Sequence, residues 1–305
     1  MADPPATSRA LQLRQAKKNY GDVVALQSLD MTVDEGEVYG FLGRNGAGKS
    51  TAIRIIMGIT KPDGGSVTLF GEAVAGDDPT QRRHVGYVAQ EQNFYPWMTA
   101  QRIGRFVSSF YPTWDDGEFT RLLKVLDIPL NRKLRGFSGG MHTKLALAMA
   151  LAHRPRLLLL DEPTAGMDAV ARREFIDIVR DQAERAHRTT VFSSHLIDEI
   201  EAAADRVGIV DDGQMRYEGS TQELQRSVRR FVLNSQDAGA CAVPDIVSVG
   251  PAEILRDQTR EGRRELVVRF PQGAEPPRFL DGPWFVEQPT LEDTFVAMVS
   301  KIPVA

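Results

Sequence analysis

A single cysteine, Cys241, stands among the 305 residues, so no intrachain disulfide can form and a reducing compartment is the default expectation. Long apolar runs are also missing. The densest, residues 145–152, falls well short of the ~18–20 residues that span a bilayer and reads as a buried helix. The opening MADPPATSRA has no hydrophobic segment, so no signal peptide is expected. No strong excess of one charge exists either. The net formal charge is -4, which gives no general attraction for polyanions, and no nucleic-acid partner is expected. Any work at a membrane would therefore pass through a partner. What remains is an ordinary globular composition, 42% hydrophobic and 26% charged, in a chain long enough for one large core and an appendage.

The most informative stretch is Gly43-Arg44-Asn45-Gly46-Ala47-Gly48-Lys49-Ser50, which fits the phosphate-binding pattern G-x-x-x-x-G-K-[ST]. It follows a strand-like apolar run (Val38, Tyr39, Phe41, Leu42) and precedes helical spacing (Ile53, Ile56, Met57) that stops at Gly58. Gly43, Gly46 and Gly48 let the backbone close around a phosphate, and their N–H groups with the helix N-terminus make an anion cradle. Lys49 would reach the β- and γ-phosphates, and Ser50 would hold Mg2+ through its hydroxyl. A nucleotide site is expected.

Residues 1–10 read as a disordered tail. Apolar alternation then begins (Leu11, Leu13; Val23, Val24, Leu26; Leu29, Met31, Val33), the pattern of strands ahead of the phosphate loop. From about 97 to 150 the spacing turns helical and reads as an insertion in an α/β domain. Ile103, Phe106, Val107 and Phe110 recur at i, i+3, i+4, i+7 behind Thr99 as N-cap. Thr113 with Asp116 resembles a capping box ahead of Phe119, Leu122, Leu123 and Leu126. Residues 157–160, all leucine, end in Asp161-Glu162, as a central parallel strand should. Strands at 189–193 and 207–210 alternate with helical spacing around Phe175, Val179 and Ile200. Asp212-Gly213 marks a hairpin, and Ser220 with Glu223 makes a second capping box. Residues 11–227 thus read as one α/β domain. Residues 228–305, with strand candidates at 231–233 and 266–270 and a closing helix capped by Thr290, read as a small α+β accessory domain.

In an open parallel sheet, ligands sit off the carboxyl ends of strands, so Asp161 is placed to orient Mg2+ and Glu162 to accept a proton from, or orient, an attacking water. Phe137-Ser138-Gly139-Gly140-Met141 before a long helical run reads as a second anion site, with no phosphate left to bind in its own subunit.

With these motifs in this order, the chain resembles the nucleotide-binding subunit of an ATP-binding cassette (ABC) transporter over roughly residues 10–225. The resemblance implies a P-loop NTPase (RecA-like) core with an antiparallel β subdomain and the helical insertion. It assigns Tyr20 to stacking on adenine, Asn45 and Thr51 to the phosphate loop and its helix, and Gln90 to sensing Mg2+ and meeting the membrane subunit. FSGGM matches the signature motif and Glu162 the catalytic glutamate. Asp168 in AGMD matches the loop that crosses the dimer interface, and His195 in SSH the histidine that contacts the γ-phosphate. Phe137 and Met141 depart from the commonest signature, whereas Ser138 and Gly140 are kept.

A head-to-tail pair is implied, in which ATP and Mg2+ bound at Lys49 of one subunit face Ser138 of the other. Homodimer and heterodimer both remain open. The implied partner is a separate polytopic permease, with the ATPase on the inner face of the cell membrane. The FSGGM variant and the LEDTFVAMV helix resemble bacterial exporters of the drug- and antibiotic-resistance type. The competing reading is a soluble ABC-type ATPase acting on ribosomes or DNA, or a regulatory module. Ribosome-acting relatives usually carry two cassettes and DNA-repair relatives a long coiled coil, and neither feature is present.

Overall fold

In the computed structural model, which describes residues 8–74, 80–233, 252–260, 263–271, 273–274, 276 and 284–299, the early apolar alternation builds two long strands, β1 (Arg9–Tyr20) and β2 (Val23–Asp34). They pair antiparallel with Leu11 opposite Val33 and Leu13 opposite Met31, which puts all four on one buried face. The strand β4 (Gly64–Leu69) adds to β1, and the short β5 (Glu72–Ala73) completes a four-stranded sheet of order β2-β1-β4-β5. Residues 1–7 of the expected tail, and Cys241, lie outside the described residues. The strand starts at Arg9, inside the segment expected to be a tail. Ala10 is fully buried there and its carbonyl accepts from Phe70 N.

The central sheet holds β3 (Val38–Gly43), β6 (Val85–Val88), β7 (Leu157–Asp161), β8 (Thr189–Ser194), β9 (Arg206–Asp211) and β10 (Gln214–Ser220), in the order β10-β9-β3-β8-β7-β6. Every residue of β3, β7 and β8 is buried, which is why these segments show apolar runs instead of alternation. The pairs β3–β8, β3–β9, β7–β8 and β6–β7 are parallel, and α1 (Lys49–Ile56), α5 (Ala169–Ala186) and α6 (Ile197–Ala203) lie in the connections. Asp212 and Gly213, at φ 48° and 70°, make the two-residue turn from β9 into β10.

Between β6 and β7 lies the helical insertion, with α2 (Ala100–Ser108), α3 (Asp116–Val125) and α4 (Gly139–Ala152). Thr99 caps α2 as expected. The cap of α3 is Asp115, whose carboxylate accepts from Glu118 N at 2.9 Å. Thr113 instead donates to the His153 carbonyl at 2.7 Å. Phe106 and Phe110, expected on the buried stripe, are 47% and 60% exposed and pack edge to face on each other. Gly104 explains the rotation: a Cβ there would lie 2.3 Å from Phe119 of α3, so this face of α2, with Ala100, Ile103 and Gly104, is the buried one.

The chain divides into two units, residues 1–218 and 219–305, so the division falls ahead of the expected 227. In the second, α7 (Thr221–Ser227) and α8 (Leu291–Val299) accompany a sheet of β11 (Val228–Leu233), β12 (Glu253–Arg260), β13 (Arg263–Arg269) and β14 (Trp284–Glu287), ordered β12-β13-β11-β14. Phe231, Leu233, Leu266, Val268, Phe270 and Trp284 form its core. Thr290 caps α8 as expected, its hydroxyl oxygen accepting from Asp293 N at 3.0 Å. Ser220 stands at the N-cap of α7 without the side-chain hydrogen bond that a capping box needs.

Candidate nucleotide site

Parallel register places the candidate residues. Leu42 of β3 pairs with Ser194 of β8, and Ser193 pairs with Asp161 of β7, so three carboxyl ends align at one edge. The phosphate loop leaves β3 at that edge and turns into α1. Gly48 allows the turn: it sits at φ 106°, and a Cβ there would lie 2.7 Å from the Ala25 carbonyl.

Lys49 is buried, with 3% of its surface exposed. Its Nζ donates to the Gly43 and Arg44 carbonyls at 2.7 and 3.1 Å and pairs with Glu162 Oε1 at 3.0 Å. Two carbonyls and one carboxylate match the three protons of an ammonium. Glu162 gathers the other polar groups: Oε2 lies 3.3 Å from His195 Nδ1 and accepts from Gln90 Nε2 at 3.4 Å. Its backbone sits at φ 43°, a strained value for any residue but glycine, and its N–H donates to Ser193 Oγ at 2.9 Å. Strain of this kind concentrates at functional sites.

Next to it, Asp161 Oδ1 accepts from Ser50 Oγ at 2.9 Å and from Ser193 Oγ at 3.0 Å, while Oδ2 is buried with no hydrogen-bond partner. Burial pushes the Asp161 carboxyl above its ordinary pKa, and the bonds from Ser50 and Ser193 pull the other way. A half-satisfied buried carboxylate beside a serine hydroxyl is the hard oxygen donor set that Mg2+ takes together with phosphates and water. The residues fit that ion.

Tyr20 ends β1 with its ring 46% exposed, and Lys18 Nζ lies 5.5 Å from the ring centroid. Asn45 and Gly46 are exposed on the loop, and Thr51 is half-buried in the first turn of α1. The signature residues stand elsewhere. Ser138 caps α4, accepting from Met141 N at 3.3 Å, and Asp168 caps α5, accepting from Val170 N and Ala171 N at 3.0 and 2.9 Å. Both are exposed, and Gly140 is half-buried. No hydrogen bond or ion pair among the described residues joins Ser138, Gly140 or Asp168 to Lys49, Asp161 or Glu162.

Sequence reasoning missed Ser193 as the link between Asp161 and the Glu162 backbone. It also missed Thr164, Ser194 and Glu199, which bond to one another in the interior. The one available signal was position: hydroxyls at the fully buried carboxyl end of β8 need partners.

The family model described as "ABC transporter" matches residues 26–165. The bacitracin transport ATP-binding protein BcrA of Bacillus licheniformis is 33% identical over 255 residues, covering 82% of this chain and 83% of that protein. The chain belongs to the ABC transporter ATP-binding proteins. The daunorubicin/doxorubicin resistance ATP-binding protein DrrA of Streptomyces peucetius is 34% identical over 235 residues, 74% of this chain and 70% of that one. Among solved structures, a dimeric ATP-binding cassette in a post-hydrolysis state, bound to ADP and Pi, is similar at TM-score 0.62. It is 27% identical and covers 69% of this chain and 98% of its own. The cassette is an ATP-binding ATPase subunit with the P-loop NTPase fold, and such subunits dimerise and work with membrane permeases. Among the described residues no helix is long and apolar enough to cross a membrane.

Proposed function

We propose that two copies of this cassette, or one copy and a close sibling, close head to tail around ATP and Mg2+ and drive a separate polytopic permease in the direction of export. The ATPase would sit on the cytoplasmic face of that permease. Lys49 binds the β- and γ-phosphates inside the cradle of Gly43, Gly46 and Gly48, with Asn45 and Thr51 in the loop and its helix and Tyr20 stacked on adenine. Mg2+, held by Ser50 and Asp161 with Gln90 alongside, would neutralise charge on the phosphate oxygens. Glu162 orients the attacking water or accepts its proton, and His195 contacts the γ-phosphate. Ser138, Gly140 and Asp168 act on the nucleotide of the opposite subunit, where the α4 N-terminus offers N–H donors to the anion. The exposed position of the Ser138 turn supports this reading in trans. Export is supported by the resistance and antibiotic-transport names of the relatives.

The observation that carries the proposal is the convergence of Lys49, Asp161, Glu162, Gln90 and His195 at the aligned ends of β3, β7 and β8. Glu162→Gln, assayed as phosphate release with the membrane partner, is expected to abolish steady-state turnover; wild-type turnover contradicts the assignment. Co-purification with a polytopic membrane protein is the expected association, and recovery of rRNA or DNA instead would contradict the coupling to transport.

A further inference from the structure

Behind Glu162 and His195 lies a second carboxylate with no part in the chemistry above. Glu199, near the start of α6, is 3% exposed. Its Oε1 accepts from Thr164 Oγ1 at 2.5 Å and lies 3.4 Å from Arg172 Nε, a charge contact without hydrogen-bond geometry. Its Oε2 accepts from Ser194 Oγ at 2.6 Å. Thr164 follows Glu162 by two residues, and Ser194 directly precedes His195. Ser194 Oγ in turn accepts from Leu196 N at 2.9 Å, so the chain is tied on both sides of His195. Arg172 sits in the first turn of α5 after its cap Asp168, and it also donates to the Met167 carbonyl at 3.4 Å. One buried carboxylate therefore gathers the segment after β7, the segment after β8 and the opening of α5.

A buried charge is retained only where its partners satisfy it, and an apolar side chain would support the fold more cheaply. We propose that Glu199 is a positioning residue: it fixes His195 against Glu162 and ties both to the turn that carries Asp168. This rests on the assignment of Glu162 and His195 made above. No hydrogen bond or ion pair among the described residues links Glu199 to the phosphate loop. Nucleotide binding and turnover should therefore separate when it is changed.

The test is Glu199→Gln in the full chain with its membrane partner. A misplacement of about 1 Å between reacting groups lowers rate by about a hundredfold. The expected result is a kcat lower by roughly 10- to 100-fold, with the KM and calorimetric Kd for ATP unchanged. Thr164→Val and Ser194→Ala should each lower kcat, and in the Glu199→Gln background neither should add to the loss, since all act through one carboxylate. A wild-type kcat in Glu199→Gln, or strictly additive losses in the combined variants, overturns the proposal. If Glu199→Gln fails to fold, the Thr164→Val and Ser194→Ala pair decides: a shared, non-additive loss of kcat supports the clamp and wild-type rates in both overturn it. Glu162→Gln serves as the reference. Turnover in that variant removes the site assignment, whereas its inactivity beside a normal Glu199→Gln removes only the clamp.

Discussion

Asp161→Asn should separate what this carboxylate does for the fold from what it does for chemistry. In the folded chain Oδ1 has two hydroxyl donors, and Oδ2 is buried without a partner. An unmatched buried polar atom costs about 1–3 kcal/mol, and more when charged. Burial also raises the folded pKa above the unfolded one, so the ionised form opposes folding. The penalty is absent below the unfolded pKa, grows as pH rises, and is complete above the folded pKa. Asparagine keeps an oxygen for Ser50 and Ser193 and removes the charge, leaving a neutral amide where Oδ2 stood. The net expectation in metal-free buffer at neutral pH is a gain of roughly 1 kcal/mol. That corresponds to an unfolding midpoint about 2–4 °C higher for a unit of this size. The same variant should lose Mg2+-dependent hydrolysis, and Mg2+ with ATP should raise its midpoint no more than ATP alone. Scanning calorimetry with EDTA and with Mg2+ and ATP, beside a phosphate-release assay, measures both halves. A variant less stable than the wild type without metal, or one that keeps the full Mg2+ effect, refutes the reasoning.

Two further substitutions probe separate parts of the first unit. Lys49→Ala removes a charged phosphate contact worth about 1.5–3 kcal/mol, so calorimetry should find ATP bound about 10- to 100-fold more weakly; unchanged affinity would contradict the cradle. His153 is buried, stacks on Tyr111 at 4.0 Å, and has its pKa lowered from 6.5 to about 4 by burial and by Arg188. Because the unfolded chain takes up this proton more readily, stability should fall as pH drops below the unfolded value, by about 2 kcal/mol between pH 7 and pH 5. His153→Phe keeps the stacking and should remove that part of the acid sensitivity in urea titrations. An equal loss in variant and wild type would rule His153 out as its source.

Local geometry was legible in the sequence wherever it demands a fixed spacing. The phosphate loop needs its glycines and lysine in register, the Asp212-Gly213 turn needs two residues at positive φ, and a central parallel strand needs a run such as residues 157–160. Features decided by tertiary partners were not legible. Thr113 and Asp115 are both able to cap α3, and the choice follows from the His153 carbonyl that takes the Thr113 hydroxyl. The direction in which α2 buries its side chains depends on where Phe119 meets Gly104. The strand β12 is absent from the expected strands because its side chains meet charges on β13, with Arg256 on Glu265 at 2.6 Å and Asp257 on Arg264 at 2.7 Å, and show no apolar alternation. Glu199 lies 35 residues from Thr164, and nothing local links them.

The most direct test of the head-to-tail sandwich is the sedimentation of Glu162→Gln with Mg2+ and ATP, compared with the same variant carrying Ser138→Arg. The sandwich predicts an ATP-dependent dimer for the first and a monomer with ATP still bound for the second. A monomer in both, or a dimer that tolerates Ser138→Arg, would contradict it.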